Sequence, residues 1–89
     1  YIINERERCK KILDKIKGVQ VYRSDANFLL LKFNKLNPNK IYNLLLQKGL
    51  IVRNVSNMIN LEKCLRFNIR TSAQNDILLT AFSEIIKNN

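Results

Sequence analysis

Histidine and tryptophan are absent from this 89-residue chain, which holds two glycines, one proline and two cysteines. Without histidine there is no imidazole base, and every histidine-ligated metal site is excluded. Gly18 and Gly49 stand far apart, so no Gly-rich phosphate loop of the Walker or dinucleotide type can form. Cys9 and Cys64 make no C-x-x-C motif. They read as small, partly buried thiols in a reducing compartment, with one long-range disulfide as the alternative. Acidic residues are also scarce: Asp and Glu total 7 against 16 Lys and Arg, for a formal net charge of +9. That excludes an acidic solvating tail and leaves nucleic acid, anionic membrane and phosphorylated small molecules as partners to weigh. No run approaches the ~18 apolar residues of a membrane span. The first residues turn charged after three apolar positions, unlike a signal peptide. The chain has no initiator Met and opens in what reads as mid-helix, as expected of a piece of something larger.

What is present supports one domain. Hydrophobic residues make up 46% of the chain, enough for a single core. From Ile2 to Lys17 the apolar positions Ile2, Cys9, Ile12, Leu13 and Ile16 have helical spacing, with Glu5, Arg6, Lys10, Asp14 and Lys17 expected on the opposite side. Glu7 stands four before Lys11, a favourable order for an ion pair. Gly18 ends that helix, and Val19–Tyr22 reads as a short strand. After a turn at Ser24–Asn27, the apolar run Phe28–Phe33 is expected as a central strand buried on both faces. Asn37 and Pro38 mark an N-cap and first helical position, Ile41, Leu44 and Leu45 the buried stripe, and Gly49 the stop. Leu50–Arg53 is expected as a strand and residues 54–63 as an irregular connection. Cys64–Ile69 alternates strictly, with Leu65, Phe67 and Ile69 on one side and Cys64, Arg66 and Asn68 on the other. Thr71 and Gln74 fit a capping box before a last helix whose stripe is Leu78, Ala81, Phe82 and Ile85. The order α-β-β-α-β-β-α predicts an α+β two-layer sandwich: a small, mostly antiparallel sheet with helices on one face.

The chemistry-bearing residues are few. Arg66 is centred on the polar side of its strand, and Arg53 ends the strand before it. If the two strands are neighbours, both guanidinium groups can converge on one anion, a task suited to arginine's planar, permanently charged fork. The alternative is that both are solvated or paired to surface carboxylates. The lysines are diffuse, Phe28, Phe33, Phe67 and Phe82 read as core, and Tyr22 and Tyr42 alone are placed to stack on a base, a pattern that argues against nucleic acid. No carboxylate pair, nucleophile–base couple or metal cluster is complete, so the chain by itself is not expected to be an enzyme.

Four segments nevertheless carry a resemblance. Ser24–Leu30, Lys48–Arg53, Cys64–Ile69, and Thr71 with Asn75 resemble, in order and spacing, the C-terminal small domain of the histidinol-phosphate aminotransferase family. The family pattern is S-x-A-N-F, then G-[IL]-x-[VL]-R, then L-R-[IVF]-x-[IVL]-G-T-x-x-[EQ]-N. The resemblance covers nearly the whole chain and implies residues 1–89 of a fold-type I aminotransferase whose large, cofactor-binding domain is not included. It implies that Arg66 receives the substrate's anionic group: the α-carboxylate of glutamate or 2-oxoglutarate in one half-reaction, the phosphate of histidinol phosphate in the other. It implies Arg53 as helper, Asn27 in a structural role, and pyridoxal 5'-phosphate as a cofactor held by the large domain. The full protein is then expected to be a cytoplasmic homodimer, with no membrane and no nucleic-acid partner. Aromatic aminotransferases, threonine-phosphate decarboxylase and a non-enzymatic basic module are the alternatives. Arg70 departs from the pattern, which has glycine there. Either the backbone relaxes at Arg70, or it supplies a third arginine near the anion.

Overall fold

A computed structural model describes residues 2–22 and 26–88, and of Ile2 the backbone alone. The expectations at Ser24, Asp25 and the Ile2 side chain lie outside the described residues. The elements are α1 (Ile2–Asp14), β1 (Val19–Tyr22), β2 (Phe28–Phe33), α2 (Pro38–Gln47), β3 (Arg53–Asn54), β4 (Cys64–Asn68) and α3 (Ser72–Lys87). The sheet order is β1-β2-β4-β3, and all three neighbouring pairs are antiparallel. β2 and β3 therefore run parallel, joined through α2, and β4 fills the gap between them. The helices form a second layer, with α3 packed against both α1 and α2. Fold class and element order are as expected from the sequence.

The core lies between the layers. Leu29, Leu31 and Phe33 of β2 and Leu65 and Phe67 of β4 meet Cys9 and Leu13 of α1, Ile41 and Leu45 of α2, and Leu78, Leu79, Phe82 and Ile85 of α3. The Phe33 and Phe82 rings pack tilted, with centroids 5.9 Å apart. Helix ends follow local chemistry. Asn37 Oδ1 accepts from the Asn39 amide at the start of α2, with Pro38 buried beside it. Thr71 and Gln74 close a reciprocal capping box at the start of α3. Gly18 and Gly49, at φ of 87° and 78°, adopt the left-handed conformation after the first two helices.

Four expectations need correction. β2 is not buried on both faces: Leu29, Leu31 and Phe33 are buried and Phe28, Leu30 and Lys32 half-buried, because helices cover one side of the sheet. Phe28 accordingly lies outside the core. The third strand is Arg53–Asn54, not Leu50–Arg53, since the Leu50 amide is used to finish α2 by donating to the Leu45 carbonyl at 2.9 Å. The ion pair of Glu7 runs to Arg6 at 3.4 Å, not to Lys11, and the i,i+4 pair on α1 is Lys10–Asp14 at 2.8 Å. Most consequentially, Glu5 and Arg6 do not face solvent; they are 6% and 7% exposed.

A buried carboxylate survives when its charge is met by donors. Glu5 accepts from Asn75 Nδ2 at 3.0 Å, from Ser72 Oγ at 3.0 Å and from Arg8 Nε at 3.2 Å, and Arg8 Nη2 meets its other oxygen. Arg8 also reaches Asp76 at 2.8 Å. The Arg8 hydrogen bonds first, then Asn75, outweigh burial and hold the Glu5 carboxyl at a pKa of about 2. Arg6 Nη1 donates to the Ala26 carbonyl at 3.0 Å, tying α1 to the start of β2. Both cysteines are free and buried, and burial pushes the Cys9 thiol up to about 11. Among the described residues no helix is long and apolar enough to cross a membrane.

Because the folded Glu5 pKa lies below its ordinary 4.5, the stability it contributes is present above that value and lost as pH falls towards about 2. The urea midpoint should therefore drop through this acid window, and Glu5→Gln should flatten the drop while lowering stability at neutral pH. An unchanged acid profile in Glu5→Gln would contradict the ionised-carboxylate account. Asn75→Ala, which removes three hydrogen bonds from a residue 1% exposed, should cost about 2–4 kcal/mol by the same measurement.

Candidate anion-binding site on the open sheet face

The strict alternation of β4 sends Leu65 and Phe67 to the core and Arg66 and Asn68 to the uncovered face. The β3–β4 register places Arg53 directly opposite Arg66. Leu30 is the partner of Arg66 on the other side, and Tyr22 is the partner of Leu30. A row Tyr22–Leu30–Arg66–Arg53 thus crosses all four strands on the uncovered face. Opposed antiparallel residues hold their Cβ atoms about 4.5–5.5 Å apart, and like charges so placed repel. Among the described residues neither arginine has a carboxylate partner; the ion pairs there join Arg6–Glu7, Arg8–Glu5, Arg8–Asp76 and Lys10–Asp14. Two opposed cations without a counter-charge form a site that an anion relieves.

Both strands are held from behind. Asn54 Nδ2 donates to Asn39 Oδ1 of α2 at 2.7 Å, and Asn54 Oδ1 accepts from the Ser56 hydroxyl at 2.6 Å and its amide at 3.0 Å. This network fixes β3 and with it Arg53, whose side chain is exposed. β4 is held at its start by Phe33 N to Lys63 O at 2.9 Å and beyond its end by Ile69 N to Asn27 O at 2.8 Å. Asn27 contributes here through its carbonyl. Just beyond, the Asn75 amide takes the Arg70 N–H at 3.1 Å and donates to the Arg70 carbonyl at 3.1 Å. The Glu5 network therefore reaches to within a few residues of Arg66.

Arg66 itself is constrained. Its Nε donates to Asn68 Oδ1 at 2.9 Å, and its guanidinium carbon lies 4.2 Å from the centroid of the Phe28 ring. Sequence reasoning placed Asn68 on the right side of β4 but gave it no role, and took Phe28 for core. Cross-strand register is the missing information. The same face holds a cleft of about 650 Å3 lined by Tyr22, Leu30, Lys32, Glu62, Lys63 and Cys64, among others. Arg70 is not part of the row. It is exposed and lines another cleft with Gly49, Ile51 and Gln74. The non-glycine residues of positive φ among those described are Asn60 and Lys63, so the backbone at Arg70 is relaxed. Among the described residues no group of His, Cys, Asp or Glu is placed to hold a metal ion.

The family model for aminotransferase class I and II matches residues 1–82. The chain belongs to that family. Histidinol-phosphate aminotransferase of Caldanaerobacter subterraneus subsp. tengcongensis is 48% identical over 86 residues, covering 97% of this chain and 24% of the relative. The crystal structure of histidinol-phosphate aminotransferase from Clostridium acetobutylicum superposes with a TM-score of 0.93 at 30% identity, over 100% of this chain and 27% of that one. That from Sinorhizobium meliloti, in complex with pyridoxal 5'-phosphate, gives 0.81 at 26% identity, over 98% and 24%. The chain thus spans about a quarter of the length of the relatives it matches.

The described residues of this aminotransferase chain do not build a cradle for that cofactor. Such a site needs a lysine, a carboxylate or arginine facing the pyridine nitrogen, and donors for the phosphate. Lys32, Lys63 and Glu62 share the cleft, but in the first turns of α2 and α3 the Asn39 and Gln74 amides already donate to the side chains of Asn37 and Thr71.

An anion seated between Arg53 and Arg66 should raise Tm by mass action. Inorganic phosphate is expected to stabilise the wild-type protein, with the shift lost in Arg66→Ala and reduced in Arg53→Ala. Equal stabilisation by sodium chloride of matched ionic strength would mean screening and no site.

Proposed function

We propose that this chain is the C-terminal small domain of a histidinol-phosphate aminotransferase, and that Arg66, assisted by Arg53, receives the anionic group of each substrate. The single observation behind the site assignment is the cross-strand pairing of Arg53 and Arg66 on the uncovered sheet face. The reaction class rests on the relatives, which are histidinol-phosphate aminotransferases. Under this reading the full protein transfers an amino group between histidinol phosphate and 2-oxoglutarate, within histidine biosynthesis. It works as a cytoplasmic homodimer, with the large domain holding pyridoxal 5'-phosphate. That cofactor supplies the electron sink for the bonds broken at the substrate's amino-bearing carbon.

The role of this chain is then orientation. A carboxylate is matched by one bidentate guanidinium, so Arg66 suffices for the α-carboxylate of glutamate. A phosphate carries up to two charges and needs more than one strong donor on leaving water, and Arg53 is placed to supply the second. Fixing the anionic end of each substrate orients its amino-bearing carbon relative to the sheet.

In the full-length enzyme, Arg66→Ala should lower kcat/KM for both substrates by the equivalent of roughly 2–5 kcal/mol, the loss typical of a desolvated anion deprived of its charged partner. Near-normal kinetics would sink the assignment. Arg53→Ala should impair histidinol phosphate more than glutamate, and equal losses would argue against a phosphate-specific contribution. The present chain mixed alone with pyridoxal 5'-phosphate should show no saturable one-to-one absorbance change. A stoichiometric adduct at a single lysine would overturn the placing of the cofactor in the large domain.

A further inference from the structure

An arginine offers two edges for bidentate recognition: the side edge, formed by Nε and one Nη, and the end edge, formed by both Nη groups. Which one meets a ligand depends on whether Nε is free. In this chain Nε of Arg66 is committed, since it donates to Asn68 Oδ1 at 2.9 Å. Nε–H is a donor only, so the Asn68 amide must turn its oxygen inward. The guanidinium also sits over the Phe28 ring, its carbon 4.2 Å from the centroid. Phe28 and Asn68 are themselves opposed partners in the β2–β4 register. Phe28 is therefore the diagonal neighbour of Arg66, in reach of a long side chain. Two contacts from opposed positions thus hold one guanidinium, the first engaging its Nε edge and the second its face.

We propose that Asn68 and Phe28 are positioning residues that make Arg66 an end-on anion receptor. With Nε engaged, the two Nη groups remain to take two oxygens of one carboxylate or one phosphate. The clamp removes the rotamer freedom that an unrestrained arginine loses on binding, so the anion meets a preorganised fork. Arg53 approaches from the opposite strand, β3, and does not compete for the clamped edge. This inference rests on Arg66 being the anion receptor.

The test is steady-state kinetics of the full-length holoenzyme with glutamate and with histidinol phosphate, comparing Asn68→Thr, Asn68→Ala, Asn68→Asp and Phe28→Leu with Arg66→Ala. Threonine keeps an acceptor near Nε and should leave KM close to wild type. Alanine frees Nε and should raise KM for both substrates about 5- to 30-fold, as loss of a charge-assisted hydrogen bond would, with a smaller change in kcat. Aspartate is the decisive variant. It keeps the acceptor in place, so a purely structural role would tolerate it, but its charge occupies the fork and should raise KM beyond the alanine value. Phe28→Leu preserves apolar volume without a π face and should raise KM about 2- to 5-fold. The order threonine, alanine, aspartate in rising KM supports the proposal. An aspartate variant equal to or better than alanine, or an alanine variant with wild-type KM, overturns it. Should alanine fail to fold, the threonine–aspartate contrast decides alone. If Arg66→Ala keeps normal kinetics, the underlying assignment of Arg66 falls, whereas failure of the Asn68 series beside a crippled Arg66→Ala overturns the clamp alone.

Discussion

Coverage of the sheet on one face is the constraint from which the remaining features follow. Three helices packed on one side must bury that side's residues and leave the other partly open, so every strand that spans the sheet has to alternate. β2 does so with Leu29, Leu31 and Phe33 inward, and β4 with Leu65 and Phe67 inward. The residues between them are displayed: Phe28, Leu30 and Lys32 on β2, Arg66 and Asn68 on β4. A shift of one residue in the β2–β4 pairing would carry Arg66 into the apolar layer, where an unpaired guanidinium is strongly disfavoured. The hydrophobic core therefore selects the register that also assembles the arginine row.

Charge is used differently on the two sides. On the helices, four carboxylates are paired: Glu5 and Asp76 share Arg8, Asp14 takes Lys10, and Glu7 takes Arg6. Arg8–Asp76 and the Glu5 bonds to Ser72 and Asn75 join α1 to α3, and through Asn75 they hold the backbone that follows β4. On the open face the cations Arg53 and Arg66 have no such partner among the described residues. Much of the +9 net charge is spread over exposed lysines, so overall basicity says little about function. The informative feature is the placing of two arginines opposite one another with no carboxylate partner among the described residues.

The family match and the geometry are independent of one another. Similarity over nearly the whole chain sets the class of protein, and it does so whether or not Arg66 binds anything. The register, the cation–π stack and the Nε hydrogen bond describe what that arginine is prepared to do, and they hold without reference to any relative. The anion receptor on the sheet is our proposal for why an arginine pair sits there. Opposed like charges repel, and a bound anion would offset that repulsion.

Much of the fold was legible from local pattern. Asn37 before Pro38, and Thr71 three residues before Gln74, mark helix starts by side-chain chemistry acting within one turn. Strict alternation over Cys64–Ile69 assigns faces within β4, and it put Arg66 and Asn68 together. The sequence by itself thus determined the element order, the caps and which residues share a strand face, because each depends on neighbours a few positions away. Tertiary structure alone decided three things: Glu5 and Arg6 are buried, Arg53 opposes Arg66, and Phe28 lies beneath the guanidinium instead of in the core. Each depends on partners far away in the chain, Glu5 on Ser72 and Asn75, Arg6 on Ala26, Arg66 on Phe28 and Arg53. Helical and strand periodicity records which way a side chain points but not what will be standing there.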